Sequence, residues 1–344
     1  MSETRPLLSV LSGERRDPTP IWMMRQAGRY LPEYREIRAT APDFISFCLS
    51  PDKAAEVTLQ PIRRFGFDGA IVFADILLIP MALGRKVWFV KGEGPKLEPL
   101  DLGDIGSMSV GDVEDQLGPV GETLTRVRAE LPDETTLIGF AGAPWTVATY
   151  MIEGGGSKDR LQARAAAWRD PDAFGILMDH LVESTARYLV MQAKSGANVL
   201  KIFDSWAEGL PESLFERVVI APTRAIIEKV RAAGVIVPII GFPKGAGVFY
   251  ARYAAETGID AIALDHGVDP KWAHQALPKG MPVQGQLDPS VLLAGGASLD
   301  SEIARIISAW ADRPHIFNLG HGISPDVPIA HVEQLISQVR NHSR

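Results

Sequence analysis

Arg25 and Arg29 stand four residues apart in the run MRQAGRY, with Gly28 between them. If that run is helical, the spacing brings both guanidinium groups to one side. Guanidinium is the side chain whose planar fork pairs bidentately with carboxylate or phosphate. The first 40 residues hold seven arginines and no lysine, whereas the whole chain carries a net charge of −7. A protein so charged repels an anionic ligand at long range, so a local arginine cluster is what would bind one. Pairing with Glu14, Glu33 or Glu36 is the alternative, and it weighs more for Arg35 and Arg38 than for the two arginines at a strand end.

Further along, single polar residues close apolar runs. Asp75 follows GAIVFA, where a carboxylate is costly to bury without a partner. Its partner is either an internal cation, Arg63 or Arg64, or a cationic or N–H-rich ligand. Tyr150 closes GFAGAPWTVATY, with a hydroxyl suited to a backbone carbonyl or to a ligand. Ser205 lies in FDSWAEG after Asp204, and Lys244, Asp265, His266 and Asp288 occupy corresponding places. His321 sits between Gly320 and Gly322 in NLGHGI, where glycine permits a tight backbone and close ligand approach. Loop polarity accounts for any one of these residues, and their repetition at the ends of apolar runs is what points to a site.

Several chemistries have no residues to carry them. The Gly154-Gly155-Gly156 run lacks the Lys-Ser/Thr of a phosphate loop and suits a flexible lid or hinge. G-x-S-x-G is absent. Cys48 is the only cysteine, so thiolate clusters and internal disulfides are out. Asp75 has no flanking ligand spacing for a metal. From residues alone, the expectation is a cofactor-poor enzyme that acts on a polyanionic small molecule, with the reaction left open.

The elements that must position these groups are eight apolar runs, residues 21–24, 70–73, 137–140, 199–203, 237–242, 261–264, 283–286 and 316–319. Near-continuous apolar strands suit a parallel sheet covered on both faces. Between them lie helical stripes. Residues 51–65 have Ser50 as cap and Pro51 at the first position, with Ala55, Leu59 and Ile62 on one face. Phe174, Leu177, Leu181, Tyr188 and Leu189 form another stripe, ended by Gly196, and Ile303, Ile306, Ile307 and Trp310 a third. This alternation predicts an α/β fold, a single (β/α)8 TIM barrel domain over residues 1–344 with its site where strands end. Residues 86–97 predict a small hairpin insertion or lid. A doubly wound sheet, the alternative, lacks its Gly-rich fingerprint.

Composition agrees, at 46% hydrophobic and 22% charged with 32 Gly and 25 Pro, the mix of an ordinary globular chain. The N-terminal apolar run, residues 7–11, is too short for a secretory signal. The longest, residues 70–83, is interrupted by Asp75 and Pro80 and falls short of the roughly 20 residues that span a bilayer. With a lone cysteine, these features predict a cytoplasmic protein with no membrane partner. The acidic balance, with no lysine-rich block, speaks against nucleic acid.

Residues 20–38, PIWMMRQAGRYLPEYREIR, and 138–156, IGFAGAPWTVATYMIEGGG, resemble the two long signatures of the uroporphyrinogen decarboxylase family. FADIL (73–77), FDSWA (203–207), QGQLDP (284–289) and NLGHGI (318–323) are similar to further family segments in the same order. The resemblance covers nearly the whole chain. It implies a (β/α)8 homodimer that removes the acetate carboxyl groups of uroporphyrinogen III to give coproporphyrinogen III in haem and chlorophyll biosynthesis, with no cofactor and no metal. It implies that Arg25, Gln26, Ala27, Gly28 and Arg29 hold substrate carboxylates and that Asp75 lies under the pyrrole N–H groups. Tyr150, Ser205 and His321 would bond peripheral acids, with Arg38 a weaker candidate and Asp75, Arg25 and Arg29 catalytic. Two departures from the family pattern are Ala74, where Ser is frequent, and Glu208, where Gly is common. Related corrinoid-dependent methyltransferases and cobalamin-independent methionine synthase use zinc on His and Cys ligands, for which one cysteine leaves no comparable set. A non-catalytic tetrapyrrole carrier would need the carboxylate clamps but not Asp75.

Overall fold

The computed structural model describes residues 5–90 and 92–342. The first four residues of the N-terminal segment and Lys91, at the tip of the expected hairpin, lie outside the described residues. The described residues form nine strands: β1 (Gly69–Ile71), β2 (Val87–Val90), β3 (Gly94–Leu97), β4 (Thr136–Gly142), β5 (Val199–Asp204), β6 (Ile239–Pro243), β7 (Ala261–Ala263), β8 (Val283–Leu287) and β9 (His315–Leu319). Seven make one parallel sheet in the order β1-β4-β5-β6-β7-β8-β9. Every residue of β4, β5, β6, β8 and β9 is buried, as a sheet with helices outside and side chains within requires.

The eighth stave is the segment around Ile21, which forms a parallel bridge with Phe317 of β9. The Phe317 N–H donates to the Pro20 carbonyl at 2.8 Å, and the Asp68 N–H, just before β1, donates to the Ile21 carbonyl at 3.0 Å. Ile21 therefore stands between the two edge strands and closes the barrel. The expected strand over 21–24 reduces to this one bridge for a local reason. The Met23 N–H donates to Gln26 Oε1 and the Met24 N–H to Asn318 Oδ1, each at 3.0 Å, so neither is left for a ladder.

Helices follow the strands as the apolar stripes predict. Pro51–Phe65 begins with proline at its first position and ends at Gly66 in the left-handed conformation. Ser50 holds the cap position without a side-chain cap bond, a correction to its expected role. Pro171–Lys194 buries Phe174, Leu177, Leu181, Tyr188 and Leu189, and Gly296–Ala309 buries Ile303, Ile306 and Ile307. β2 and β3 pair antiparallel as the expected hairpin. Gly155 bridges Lys96, and the Leu97 N–H donates to the Gly154 carbonyl at 3.0 Å. The triple-glycine run is thus docked on the hairpin, where a flexible lid or hinge was expected.

Candidate active site

Of the polar residues singled out by the sequence, Arg25, Asp75 and Ser205 line one cleft at the carboxyl ends of the strands, which encloses about 670 Å³ of partly solvent-open space. Arg25, Ala27, Asp75, Phe140, Phe203 and Ser205 are among its walls. Phe140 on β4 and Phe203 on β5 meet edge to face at 5.6 Å and make its apolar floor.

Asp75 follows β1 and is largely buried. Its Oδ1 accepts the Leu77 N–H at 2.8 Å. Burial raises its pKa to about 6, and Arg25 acts in the opposite direction. The internal pair with Arg63 or Arg64 does not form. Arg63 reaches Glu56 at 2.7 Å and Arg64 reaches Glu33 at 2.7 Å, which leaves Asp75 with no salt bridge among the described residues.

Arg25 is one of two non-glycine residues with positive φ among the described residues, at 64°, a conformation that costs an L-residue about 1–2 kcal/mol. Bonds on both sides hold it there, since Met24 donates to Asn318 and accepts from the Ile323 N–H at 3.1 Å. Residues 25–29 form turns, and the helix starts at Pro32. The helical spacing expected of Arg25 and Arg29 is therefore absent. Both are exposed, and neither has an acidic partner among the described residues, because Glu33 is taken by Arg64. Ala27 faces the cleft. Gln26 does not: wholly buried, it donates from Nε2 to the Gly69 carbonyl at 2.9 Å and accepts the Met23 N–H. Gly28 lies where a Cβ would come within 2.9 Å of the Arg25 carbonyl. Arg38 donates to the Ala41 carbonyl at 3.1 Å and lies over the Phe47 ring, away from the cleft walls.

Tyr150 lies in the last turn of the helix Pro144–Glu153 and stacks on Trp206 with ring centroids 4.0 Å apart. Burial and then the negative charge of Asp75 raise its pKa to about 12. Ser205 is set by its neighbours. Asp204 Oδ1 accepts the Thr146 hydroxyl, and Thr146 Oγ1 accepts the Trp206 N–H at 3.2 Å. Asp204 is completely buried with Oδ2 unpartnered, and burial lifts its pKa to about 7. Glu208 pairs with Arg160 at 3.1 Å and Lys244 at 3.7 Å, which ties the loop behind Ser205 to two neighbours.

His321 has a buried, unpartnered Nδ1. Burial, then Arg25, Lys244 and His266, depress its pKa to about 4, so the ring is neutral near pH 7. The glycines beside it make room for protein, where close ligand approach was expected: Gly320 abuts the His266 backbone and Gly322 the Arg25 side chain.

Below the cleft, Lys201 points into the barrel, 4.8–5.2 Å from the rings of Trp22, Phe203 and Phe242. It is 2% exposed and burial drives its pKa down. Trp206 and Lys201 escaped sequence reasoning, and Thr146 stood out only as part of the strand-end run 144–150. The one signal for Lys201 was a lysine inside an otherwise apolar strand. Cys48 is wholly buried with its thiol pushed up, which keeps it protonated. Among the described residues, no three His, Cys, Asp or Glu side chains gather as a metal ion would require.

Closed barrel and cleft together define a class, the (β/α)8-barrel enzymes with a site at the carboxyl ends of the strands. Solved structures agree on the fold: a methyltransferase from Methanosarcina mazei superposes with a TM-score of 0.78 at 17% identity over 97% of each chain. A putative vitamin-B12-independent methionine synthase from Listeria monocytogenes gives 0.52 at 11% identity over 84% of this chain and 85% of that one. At such identities the likeness is one of fold alone. Residues 2–342 match the family model described as Uroporphyrinogen decarboxylase (URO-D). Proteins named uroporphyrinogen decarboxylase are 66% identical in Maricaulis maris and 55% identical in Sphingopyxis alaskensis, over 98% of each chain. The chain belongs to the uroporphyrinogen decarboxylase family.

Proposed function

We propose that this chain removes the acetate carboxyl groups of uroporphyrinogen III to give coproporphyrinogen III, with Asp75 as the central catalytic group. The observation that carries this is a largely buried carboxylate with no internal cation partner, standing in an apolar-floored cleft beside Arg25. Such an anion is unfavourable until a ligand supplies N–H donors or positive charge; four pyrrole N–H groups converging on one face supply the donors, and protonation of the ring supplies the charge.

Decarboxylation breaks the bond between the acetate methylene and its carboxyl carbon, and the electron pair needs a sink. A pyrrole protonated on ring carbon is one, so the substrate does what a cofactor does elsewhere. CO₂ leaves, the pair enters the ring, the methylene takes a proton to become methyl, and loss of the added ring proton restores the pyrrole. One proton is consumed for each CO₂. The protonated ring is cationic, so the fixed Asp75 carboxylate stabilises it more than the neutral ground state. Arg25 and Arg29 position carboxylate arms, each charge-assisted pair contributing roughly 1.5–3 kcal/mol. Tyr150, Ser205 and the neutral His321 offer hydrogen bonds to peripheral acids, and Gln26 and Gly28 act by shaping the Arg25 turn.

The same proposal has one domain, acting as a cytoplasmic homodimer. The single domain is supported by the helix Ile329–Asn341, whose Arg340 reaches back to Asp68 before β1 at 2.9 Å. No helix among the described residues is long and apolar enough to cross a membrane. Purified protein incubated anaerobically with uroporphyrinogen III and a chelator is expected to yield coproporphyrinogen III. Tight binding without CO₂ release would instead mark a carrier, and loss of turnover on chelation would bring back the zinc-dependent relatives.

A further inference from the structure

The cleft walls come from the first four staves of the barrel, counting the Ile21 segment as the first. Of the other four, three end in a basic side chain: Lys244 after β6, His266 after β7 and His321 after β9. Around the closed ring β1 is the second stave and β7 the sixth, so His266 stands across the mouth from Asp75.

These loops are packed into one rim. Gly320 abuts the His266 backbone, leaving no room for a Cβ. Asp265 accepts the Gly245 N–H at 2.7 Å and the Gly267 N–H at 2.8 Å, which pins the β6 loop to the β7 loop. The nearby acids are largely committed. Asp265 also accepts the Tyr250 hydroxyl, Asp288 accepts the Ser290 N–H, and Glu208 lies closer to Arg160 than to Lys244. Lys244 keeps one loose ion pair, with Glu208 at 3.7 Å, and the exposed His266, near enough to Asp288 to act on its charge, makes no salt bridge among the described residues, beside the unpartnered Nδ1 of His321.

We propose that Lys244 and His266, together with His321, form a second carboxylate subsite that holds the acid arms remote from Asp75 and selects for a polycarboxylated ring. This rests on the decarboxylase function proposed above. Acid groups spread around a ring's perimeter cannot all reach Arg25 and Arg29, and the rest would otherwise meet the field of a protein with net charge −7.

Steady-state turnover of uroporphyrinogen III tests it. Lys244→Met is expected to raise KM about tenfold, the loss of one charge-assisted contact, and by more than it lowers kcat. Lys244→Arg should restore KM, and the penalty should shrink for a pentacarboxylate ring. His266→Gln alters an exposed side chain, so it decides the matter even if Lys244→Met fails to fold, and a KM increase of several-fold is expected. KM values within twofold of wild type in both variants, or in His266→Gln alone should the other not fold, would overturn the subsite. A wild type without turnover in the same assay would instead count against the decarboxylase function.

Discussion

Gly322 leaves the space that the Arg25 side chain fills: a methyl group at position 322 would overlap Arg25 Cδ and lie 2.9 Å from its Cγ and Nε. The glycine after His321 therefore serves an arginine some 300 positions away in the chain. Gly322→Ala is expected to divert the guanidinium and lower kcat/KM at least about tenfold, the worth of one charge-assisted contact. The melting temperature should change little, because an exposed side chain can move aside. Unaltered kinetics would mean that Arg25 does not work from this position.

The positive φ of Arg25 gives a second expectation. Glycine adopts this conformation without strain, so Arg25→Gly should be at least as stable as wild type while losing most turnover. Urea unfolding and an activity assay on the same preparation check both halves.

Asp75 must be ionised to stabilise a cationic ring. With its pKa at about 6, kcat/KM of the free enzyme should fall on the acid side below that value, approaching tenfold per pH unit. His321, at about 4, stays neutral through that range and adds no limb of its own. A profile flat from about pH 7 down to about 5 would contradict the assignment.

The same shift has a cost in the free protein. Asp75 keeps its proton to about pH 6 when folded but only to near 3.8 when unfolded, so folding takes up a proton between those values and stability falls as pH rises through them. Asp75→Asn avoids the buried charge. It should melt a few degrees above wild type near pH 7.5, corresponding to about 1–2 kcal/mol once the opening to solvent is allowed for. The difference should vanish below about pH 4. Thermal melts at the two pH values decide it.

Thr146 links Asp204 to Trp206 and so to the ring of Tyr150. Thr146→Val takes the hydroxyl away from the buried Asp204 carboxyl and from the Trp206 N–H, at a cost of about 1–3 kcal/mol. A lower melting temperature accompanied by a raised KM is expected, and a fall in stability alone would confine Thr146 to the fold.

The barrel was legible because parallel buried strands announce themselves as apolar runs, and all eight runs became staves. Local spacing misled where a distant side chain took over the backbone. Gln26 and Asn318 claim the N–H groups of Met23 and Met24, which ends the first strand early and turns residues 25–29 away from the helix their spacing suggested. Asp75, Tyr150, Ser205 and His321 were visible as polar residues after strands. Gly322 making way for Arg25, Lys201 under the cleft and Thr146 behind Ser205 depend on contacts between segments far apart in the chain, which no local pattern encodes.

The most direct measurement compares binding and turnover in Asp75→Asn under anaerobic conditions with uroporphyrinogen III. Asn keeps the size of the side chain and removes its charge. Substrate affinity within a few-fold of wild type is expected, with kcat reduced at least about a hundredfold, the scale of losing one electrostatic stabiliser of a transition state. Turnover at the wild-type rate in this variant would contradict the account.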